Sequence, residues 1–584
     1  MKMTGAELLT SILADAGISV VSGIPGHTVT DFALAVGARE KAFQRLLVRH
    51  EATSAFAADV YFRVGGKLMV PFTHAFPGAA NGLTAVANAY ADYSSMLWVT
   101  GNTASVGIGR GGYQELSRQT NDDLTQLIRP AVKRVWQPRT AGDLAHNAMA
   151  ALREATSGRP GPVALNVSQE IWSQAIEVTG APHVAGFVHA AHPRPDAQSV
   201  AAAVQMLVEA ERPLILAGNG VNLSRSRTGL RALAEELDVP VATTGSGKGA
   251  FPEDHPLSVG VSGWVGTGTA NTATRDADVI LVLGARLAET TASSWVSGAT
   301  FSPGVRLIHA DVDLAGVANA YPVEQVLIGD LGAVLDDLRA AVVDGPVSDR
   351  SAWLGHLDTA RQEWLKTAAE SQVAGATGAV GTGSVVQALR RAFTGPINMV
   401  NDCGKHHKWV LQQLEAREDD YIVSSMGGAS MGIGLAGAVG AHLARPEVPT
   451  IAWLGDGGMS MSLAALPTVA EYRLPIITVV IDDASYGVVH NTQMAATGRH
   501  AFADFDGSGE NPEYRLDFTA VAEGCGIPGR TVTDAAELDQ AFAWAAEAGG
   551  PAVITVHSDK ASVQPGGGGQ LRPLEDNSRQ LLWS

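Results

Sequence analysis

The chain has 584 residues, 46% of them apolar and 17% charged, with a formal net charge of −18. That length exceeds what one hydrophobic core can organise and implies three or four domains of ordinary size. The acidic balance argues against a duplex nucleic-acid partner, and no run of 18 apolar residues marks a membrane span.

The N-terminal stretch MKMTGAELLTSILADAG has the spacing of an amphipathic helix and no signal-peptide cleavage pattern. Only two cysteines occur, Cys403 and Cys525, so a disulfide framework is not expected and a cytoplasmic location is. Short apolar runs then alternate with helical patterns. VVSGIP, LMVPFTH, SMLWVTGN and PVALNVS read as strands in the first 170 residues. PLILAGNG, VPVATTG, VILVLGAR and RLIHADVD follow after residue 210, and INMVNDC, TIAWLGDG, IITVVIDD and AVITVHS after residue 395. This alternation predicts an α/β protein of three doubly wound parallel-sheet domains. Composition places them at 1–185, 186–350 and 375–560. Gly186–Ser199 is a Pro/His-rich connector, and the segment near Gly345 and Ala374–Ser384 flank the second linker. A tail, 561–584, begins with the Gly-rich ASVQPGGGGQ and reads either as disordered or as a flap over a site.

Two motifs carry chemistry. In Gly455–Gly487, GDGGMSMSLAALPTVAEYRLPIITVVIDDASYG, a buried strand runs into Gly455-Asp456-Gly457-Gly458. The glycines allow close backbone approach to a ligand, and a helix over SLAALPTVAEYRL is expected to offer its N-terminal N–H groups to an anion. The next strand ends 27 residues later at Asp483, so two neighbouring parallel strands bring Asp456 and Asp483 to one carboxyl edge, where such sheets bind ligands. Those carboxylates and the carbonyl of Ser485 suit an octahedral Mg²⁺. The second motif is RHEATSA, residues 49–55, at the head of a helix whose Ala52, Ala55, Phe56 and Val60 form an apolar face.

Together these segments resemble the thiamine diphosphate (ThDP) enzymes of the acetolactate synthase and 2-oxo-acid decarboxylase superfamily. The resemblance implies that Glu51 protonates the aminopyrimidine ring, and that chemistry proceeds through a thiazolium carbanion that attacks a carbonyl carbon. It places Asp456, Asp483 and Ser485 on Mg²⁺, and Gly455, Gly457, Gly458, Tyr486, Gly487 and Val488 around the cofactor. In SSMGGASMGIGLAGA it implies that Ala429 meets the cofactor's amino group by its carbonyl and that Met431 supports the bend between the rings. Pro25 and Gly26 of GIPGHT, and Gly78 and Asn81 of THAFPGAANG, fall at the family's cofactor loops. His27 and His74 fall where substrate-facing residues stand, and Gln114 of GGYQE matches a family glutamine that faces the thiazolium; Val488, Val489, His490 and Gln493, which start the helix after the metal motif, are expected to line the pocket. One departure is clear: the family usually ends the metal motif in Asn-Asn, and this chain has Asp482-Asp483.

The polar trio His27, His74 and Gln114 resembles the pocket of cyclohexane-1,2-dione hydrolase, a relative that shares a GHT loop, a SYG ending to the metal motif and a long C-terminal tail. The leading expectation is a carboligase or lyase acting on a small 2-oxo acid. Hydrolysis of a cyclic 1,2-diketone comes second and lysis of a 2-hydroxyacyl-CoA ester third. A non-catalytic regulatory paralogue is disfavoured because Glu51 and the GDG are both present. A nucleotide-binding dehydrogenase is disfavoured because no convincing GxGxxG follows a first strand. Relatives carry FAD, ADP, a coenzyme A ester or nothing in the central domain, so Arg286 either stacks on a nucleotide or bridges domains. Because Glu51 and Asp456 must grip opposite ends of one cofactor, the resemblance implies a dimer at least and a tetramer as the fuller assembly.

Overall fold

The computed structural model of the protein describes residues 1–116, 123–180, 184, 192–342, 348–371, 379–505, 514–560 and 562–566. Part of the connector Gly186–Ser199, part of the linker Ala374–Ser384 and most of the Gly-rich tail lie outside the described residues. No described helix is long and apolar enough to cross a membrane.

Three six-stranded sheets follow one another. The first runs, edge to edge, Gln44–Leu47, Val20–Gly23, Val70–Thr73, Leu97–Asn102, Val163–Ser168, Arg134–Trp136. The second runs Ser258–Val261, Val241–Thr243, Pro213–Ala217, Val279–Leu283, Arg306–Asp311, Gln325–Ile328. The third runs Tyr421–Ser424, Asn398–Asn401, Thr450–Gly455, Ile476–Asp482, Ala552–His557, Gly529–Val532. Every pairing within them is parallel. Parallel strands need crossovers, and the intervening helices supply them while burying both faces. The first and third sheets share one strand order and the second has another.

The strands expected from the sequence are the interior strands of each sheet. The edge strands are not among those expected, and two of them are largely exposed. Only Leu46 is buried in Gln44–Leu47, and only Val532 in Gly529–Val532. A further pair, Lys2–Thr4 with Ala175–Glu177, is antiparallel and joins the two ends of the first domain.

The first and third domains meet through two helices, Glu51–Gly65 and Ile433–Ala444. The expected single buried face of Glu51–Gly65 is an understatement, because 13 of its 15 residues are buried. One side packs on its own sheet and the other on the partner helix. A Cβ on Gly440 would lie 1.9 Å from the Ala57 carbonyl oxygen, and one on Gly437 would lie 2.6 Å from Val60 Cγ2. Beside this crossing, Arg63 Nε donates to Asp59 Oδ1 at 2.7 Å and Arg63 Nη2 to Asp92 Oδ2 at 3.0 Å. Asp92 in turn accepts from Ser425 Oγ at 2.6 Å and from Gly427 N–H at 2.7 Å, which ties the third domain to this buried charge set.

Gly440→Leu should separate the two helices. Overpacking of this kind costs roughly 1–3 kcal/mol or more, so calorimetry should show a lowered melting midpoint, whereas a leucine at exposed Gly355, inside helix Ser351–Glu370, should not lower it.

Candidate active site

In the first and third sheets, neighbouring central strands lead off to opposite sides, and the gap between their carboxyl ends is where open α/β sheets hold ligands. In the first domain these are Val20–Gly23 and Val70–Thr73. The loop after the former carries Pro25, Gly26 and His27, and His74 directly follows the latter. A Cβ on Gly26 would lie 2.2 Å from His74 Cγ, so glycine there lets the loop close over the imidazole. His74 Nδ1 lies 3.4 Å from the Thr28 N–H and 2.8 Å from Thr28 Oγ1. An amide can only donate, so Nδ1 is assigned as acceptor. Nε2 then carries the proton and donates to Gln114 Oε1 at 2.6 Å. Gln114 adopts a φ of 60° in a loop held by Glu115, which accepts from Gly111 and Gly112 N–H at 3.0 and 2.8 Å. The His27 ring meets His74 edge-on at 4.7 Å. Burial, then the neighbouring imidazole, push the His27 pKa down, which keeps it neutral at pH 7. The structure therefore brings His27, His74 and Gln114 into one cluster.

Glu51 opens its helix and is 8% exposed. Its Oε2 accepts from Asn81 Nδ2 at 3.0 Å, and a Cβ on Gly78 would lie 3.1 Å from Oε1. Gly78 and Asn81, both expected at the cofactor, thus border the carboxylate. These contacts of Glu51 come from the first domain.

The second grouping lies in the third domain, at the ends of Asn398–Asn401, Thr450–Gly455 and Ile476–Asp482. Ser485 joins the two acids: its N–H donates to Asp456 Oδ2 at 3.1 Å and its hydroxyl to Asp483 Oδ1 at 2.7 Å. Burial first, then Asp483 and Asp482, raise the Asp456 pKa to about 8. Converging buried carboxylates of this kind are the donor chemistry of a hard divalent cation, whose charge would hold them ionised. Met431 and Tyr486 close over Gly457, where a Cβ would lie 2.9 Å from Met431 Cε and 2.8 Å from Tyr486 Cε1. Ala429 stands at a φ of 48°, with its N–H donating to Ser425 Oγ at 3.0 Å. Gly487 and Val488 begin the helix Gly487–Thr497, which also carries Val489, His490 and Gln493. On that helix His490 Nδ1 lies 2.8 Å from Asp504 Oδ1.

The expected helix over SLAALPTVAEYRL is corrected. Helical structure starts at Asp456 and ends at Ser462, a 3₁₀ turn follows, and a second helix spans Leu466–Glu471. Pro467 sits in the first turn of that second helix, where its missing N–H costs nothing, but it could not lie inside one continuous helix. The glycines serve the protein's own side chains, since a Cβ on Gly458 would lie 2.6 Å from Asp402 Oδ2.

Asp402 and Lys405 are additions that the motif reading did not supply. Asp402 is fully buried and caps helix Ile433–Ala444 through the N–H groups of Gly432 and Gly434, at 2.9 and 3.3 Å. Burial raises its pKa to about 7 despite those hydrogen bonds. Lys405 Nζ lies 2.6 Å from Asp483 Oδ2, and Arg515 Nε donates to Asp482 Oδ2 at 2.7 Å. The available signal was DCGKHHK at a strand end, a cluster of basic residues at the same carboxyl edge as the acids.

A cavity of about 610 Å³ separates the first and central domains and is lined by Tyr93, Arg159, Arg286, Asp311 and Asp330, among others. Arg286 bridges the domains: its Nη1 donates to the Ala91 carbonyl at 3.1 Å, and its guanidinium lies 5.6 Å from the Tyr93 ring centre.

The chain is similar to known proteins over most of its length. Residues 3–122 match the thiamine pyrophosphate enzyme N-terminal TPP binding domain, 200–338 its central domain and 402–556 its C-terminal TPP binding domain. The acetolactate synthase large subunit of Parasynechococcus marenigrum is 32% identical over 564 residues, covering 95% of this chain and 87% of that protein. The probable acetolactate synthase large subunit of Methanocaldococcus jannaschii is 29% identical over 588 residues, covering 96% and 93%. Acetolactate synthase isozyme 1 large subunit of Escherichia coli is 27% identical over 565 residues, covering 96% and 94%.

The buried histidines beside the site yield a pH test. Burial is the main cause that lowers the His407 pKa from 6.5 to about 4. A folded-state value below the unfolded one gives stability that is present above the unfolded pKa and lost as pH falls toward the folded one. The melting midpoint of the wild type minus that of His407→Gln should therefore fall as pH drops from 6.5 to about 4. The change corresponds to at most about 3 kcal/mol, and a pH-independent difference would contradict the assignment.

Proposed function

The chain belongs to the acetolactate synthase family of ThDP-dependent enzymes, and from that premise we propose that it makes or breaks a C–C bond next to the carbonyl of a small 2-oxo compound, with carboligation as the leading reaction. The observation that carries this reading is the joining of Asp456 and Asp483 through Ser485 at a strand edge, together with a buried glutamate at the head of helix Glu51–Gly65.

ThDP, when bound, supplies the electron sink for the bond that is broken or formed. The protein's residues do the rest. Asp456, Asp483 and the Ser485 carbonyl would hold Mg²⁺, and through it the diphosphate. Gly455, Gly457, Gly458, Tyr486, Gly487 and Val488 would surround that end. Glu51, oriented by Asn81, would keep a proton at the aminopyrimidine ring nitrogen. Met431 and the Ala429 carbonyl would fix the angle between the two rings, and Pro25, Gly26 and Gly78 would wall the pyrimidine. His74 donates through Nε2 to Gln114, so a substrate oxygen is left with the Gln114 amide and the neutral His27 as partners.

The polar cluster of His27, His74 and Gln114 favours one second reading, hydrolysis of a cyclic 1,2-diketone, because imidazoles can orient a water against a carbonyl. Self-association, as a dimer or tetramer, would bring Glu51 of one subunit to Asp456 of another. Exposed apolar side chains flank both groups: Tyr113 at 77% exposure near His27, and Phe502 fully exposed near Asp504. FAD or ADP is the proposed occupant of the central cavity, supported by its lining of Arg286, Asp311 and Asp330, and a flavin absorption band would decide between them. Both cysteines are free, which fits a cytoplasmic setting.

The test is a panel of 2-oxo acids, aldehydes and cyclic diketones with ThDP and Mg²⁺, with products identified by mass spectrometry. A carboligase yields acetolactate-type products from 2-oxo acids, and a hydrolase yields ring-opened acids. Glu51→Gln should lower turnover by about 10²-fold or more with an unchanged melting midpoint. Retention of over a tenth of wild-type activity would remove Glu51 from its role.

A further inference from the structure

Lys405 occupies an unusual place for a cation. It is the first residue of helix Lys405–Gln413, whose N-terminus already carries partial positive charge. His406 and His407 follow it, and burial, as the main cause, keeps both neutral with pKa values lowered to about 3 and about 4. The Lys405 side chain is 4% exposed. Its Nζ lies 2.6 Å from Asp483 Oδ2, 3.2 Å from the Asp559 carbonyl and 3.0 Å from the Lys560 carbonyl, so every ammonium proton has a partner. Gly487 makes room for the pair, since a Cβ there would lie 2.9 Å from Asp483 Oδ2 and 3.3 Å from Lys405 Cβ.

Stability alone does not account for this arrangement. Desolvating two charges offsets most of what their attraction returns, so a buried ion pair is a weak stabiliser. The pair instead answers a charge problem. Asp456 and Asp483 meet through Ser485, Asp482 also reaches Asp456, and a diphosphate would add further negative charge to one divalent ion. Asp482, the other acid at this strand end, is balanced separately by Arg515.

We propose that Lys405 is a cofactor-site residue whose ammonium supplies the counter-charge for Asp483, so that the two act as one neutral unit that sets how tightly the site takes metal and diphosphate. The inference rests on the ThDP and metal reading above. It has a distinctive sign: removing the cation exposes an anion, which favours a bare metal ion and disfavours the diphosphate.

The experiment is a double-mutant cycle on the full-length protein, with Mn²⁺ binding read by electron paramagnetic resonance and ThDP binding at saturating Mg²⁺ read by calorimetry. Lys405→Gln should tighten Mn²⁺ by about 3-fold and weaken ThDP by about 10-fold. Asp483→Asn should weaken both. The combined Lys405→Gln/Asp483→Asn protein should bind ThDP within about 3-fold of wild type, far from the product of the single losses. Lys405→Arg, which keeps the charge, should retain more ThDP affinity than Lys405→Gln. The melting midpoint of each variant without ligand separates misfolding from lost binding, and the Arg variant and the double mutant carry the test if Lys405→Gln does not fold. Additive losses, or a Lys405→Gln protein with unchanged affinities, overturn the proposal. A wild type that binds no ThDP sinks the cofactor reading beneath it, and that result is distinguishable from additivity.

Discussion

Helix Ile433–Ala444 lies so close to helix Glu51–Gly65 that Gly440 has no room for a side chain. The site on either side of this crossing inherits its geometry. The helix of the first domain presents Glu51 at one end and Arg63 near the other. Its partner is capped by Asp402, and that same carboxylate abuts Gly458 of the acidic turn. A shift of one helix along the other would move Glu51 relative to its sheet and Asp402 relative to Asp456. Packed interiors do not deform smoothly, so this contact holds the register of both halves. The buried Asp59–Arg63–Asp92 set adds direction, because Ser425 and Gly427 from the third domain complete the hydrogen bonds of Asp92. It fixes the loop that carries Ala429 and Met431.

Shared topology explains why the first and third domains can divide one chemistry. Their identical strand order places a gap between the carboxyl ends of equivalent strands in each. One gap collects imidazoles, an amide and a glutamate. The other collects carboxylates and a lysine. The contrast comes from the loops and not from the sheets, as expected when rigid parallel scaffolds carry function on strand-end loops. The central domain has a different strand order. Its cavity opens against the first domain, where Arg286 spans the boundary.

The legibility of the chain follows physical lines. Interior strands such as Leu97–Asn102 and Ile476–Asp482 are buried at every residue, so they stand out as apolar runs. Edge strands such as Gln44–Leu47 and Gly529–Val532 face water, and composition does not separate them from loops. Glu51, Asp456 and Asp483 were readable because each lies in a contiguous motif with fixed spacing. The His27–His74–Gln114 cluster was readable only as separate loops, since its members come from three strand ends. The break at Pro467 was visible in the sequence but was outweighed by the helical pattern around it. Lys405 was not readable as the partner of Asp483, because 78 residues separate the two and only the pairing of strands Asn398–Asn401, Thr450–Gly455 and Ile476–Asp482 brings their ends together.

That pairing bears on the departure from Asn-Asn in the metal motif. An acid in place of an amide adds a buried negative charge, and such a charge persists only with a partner. Both acids here have one, and each partner comes from a different element. Arg515 reaches Asp482 from just before helix Phe518–Gly524, and Lys405 reaches Asp483 from the first turn of helix Lys405–Gln413. Asp482 is held by that guanidinium and by the Ala484 N–H at 3.1 Å, and its carboxyl also reaches Asp456. Asp483 is joined to Asp456 through Ser485. Asp482 is the last residue of its strand and Asp483 the first beyond it, and the two adjacent acids are neutralised by cations from different elements.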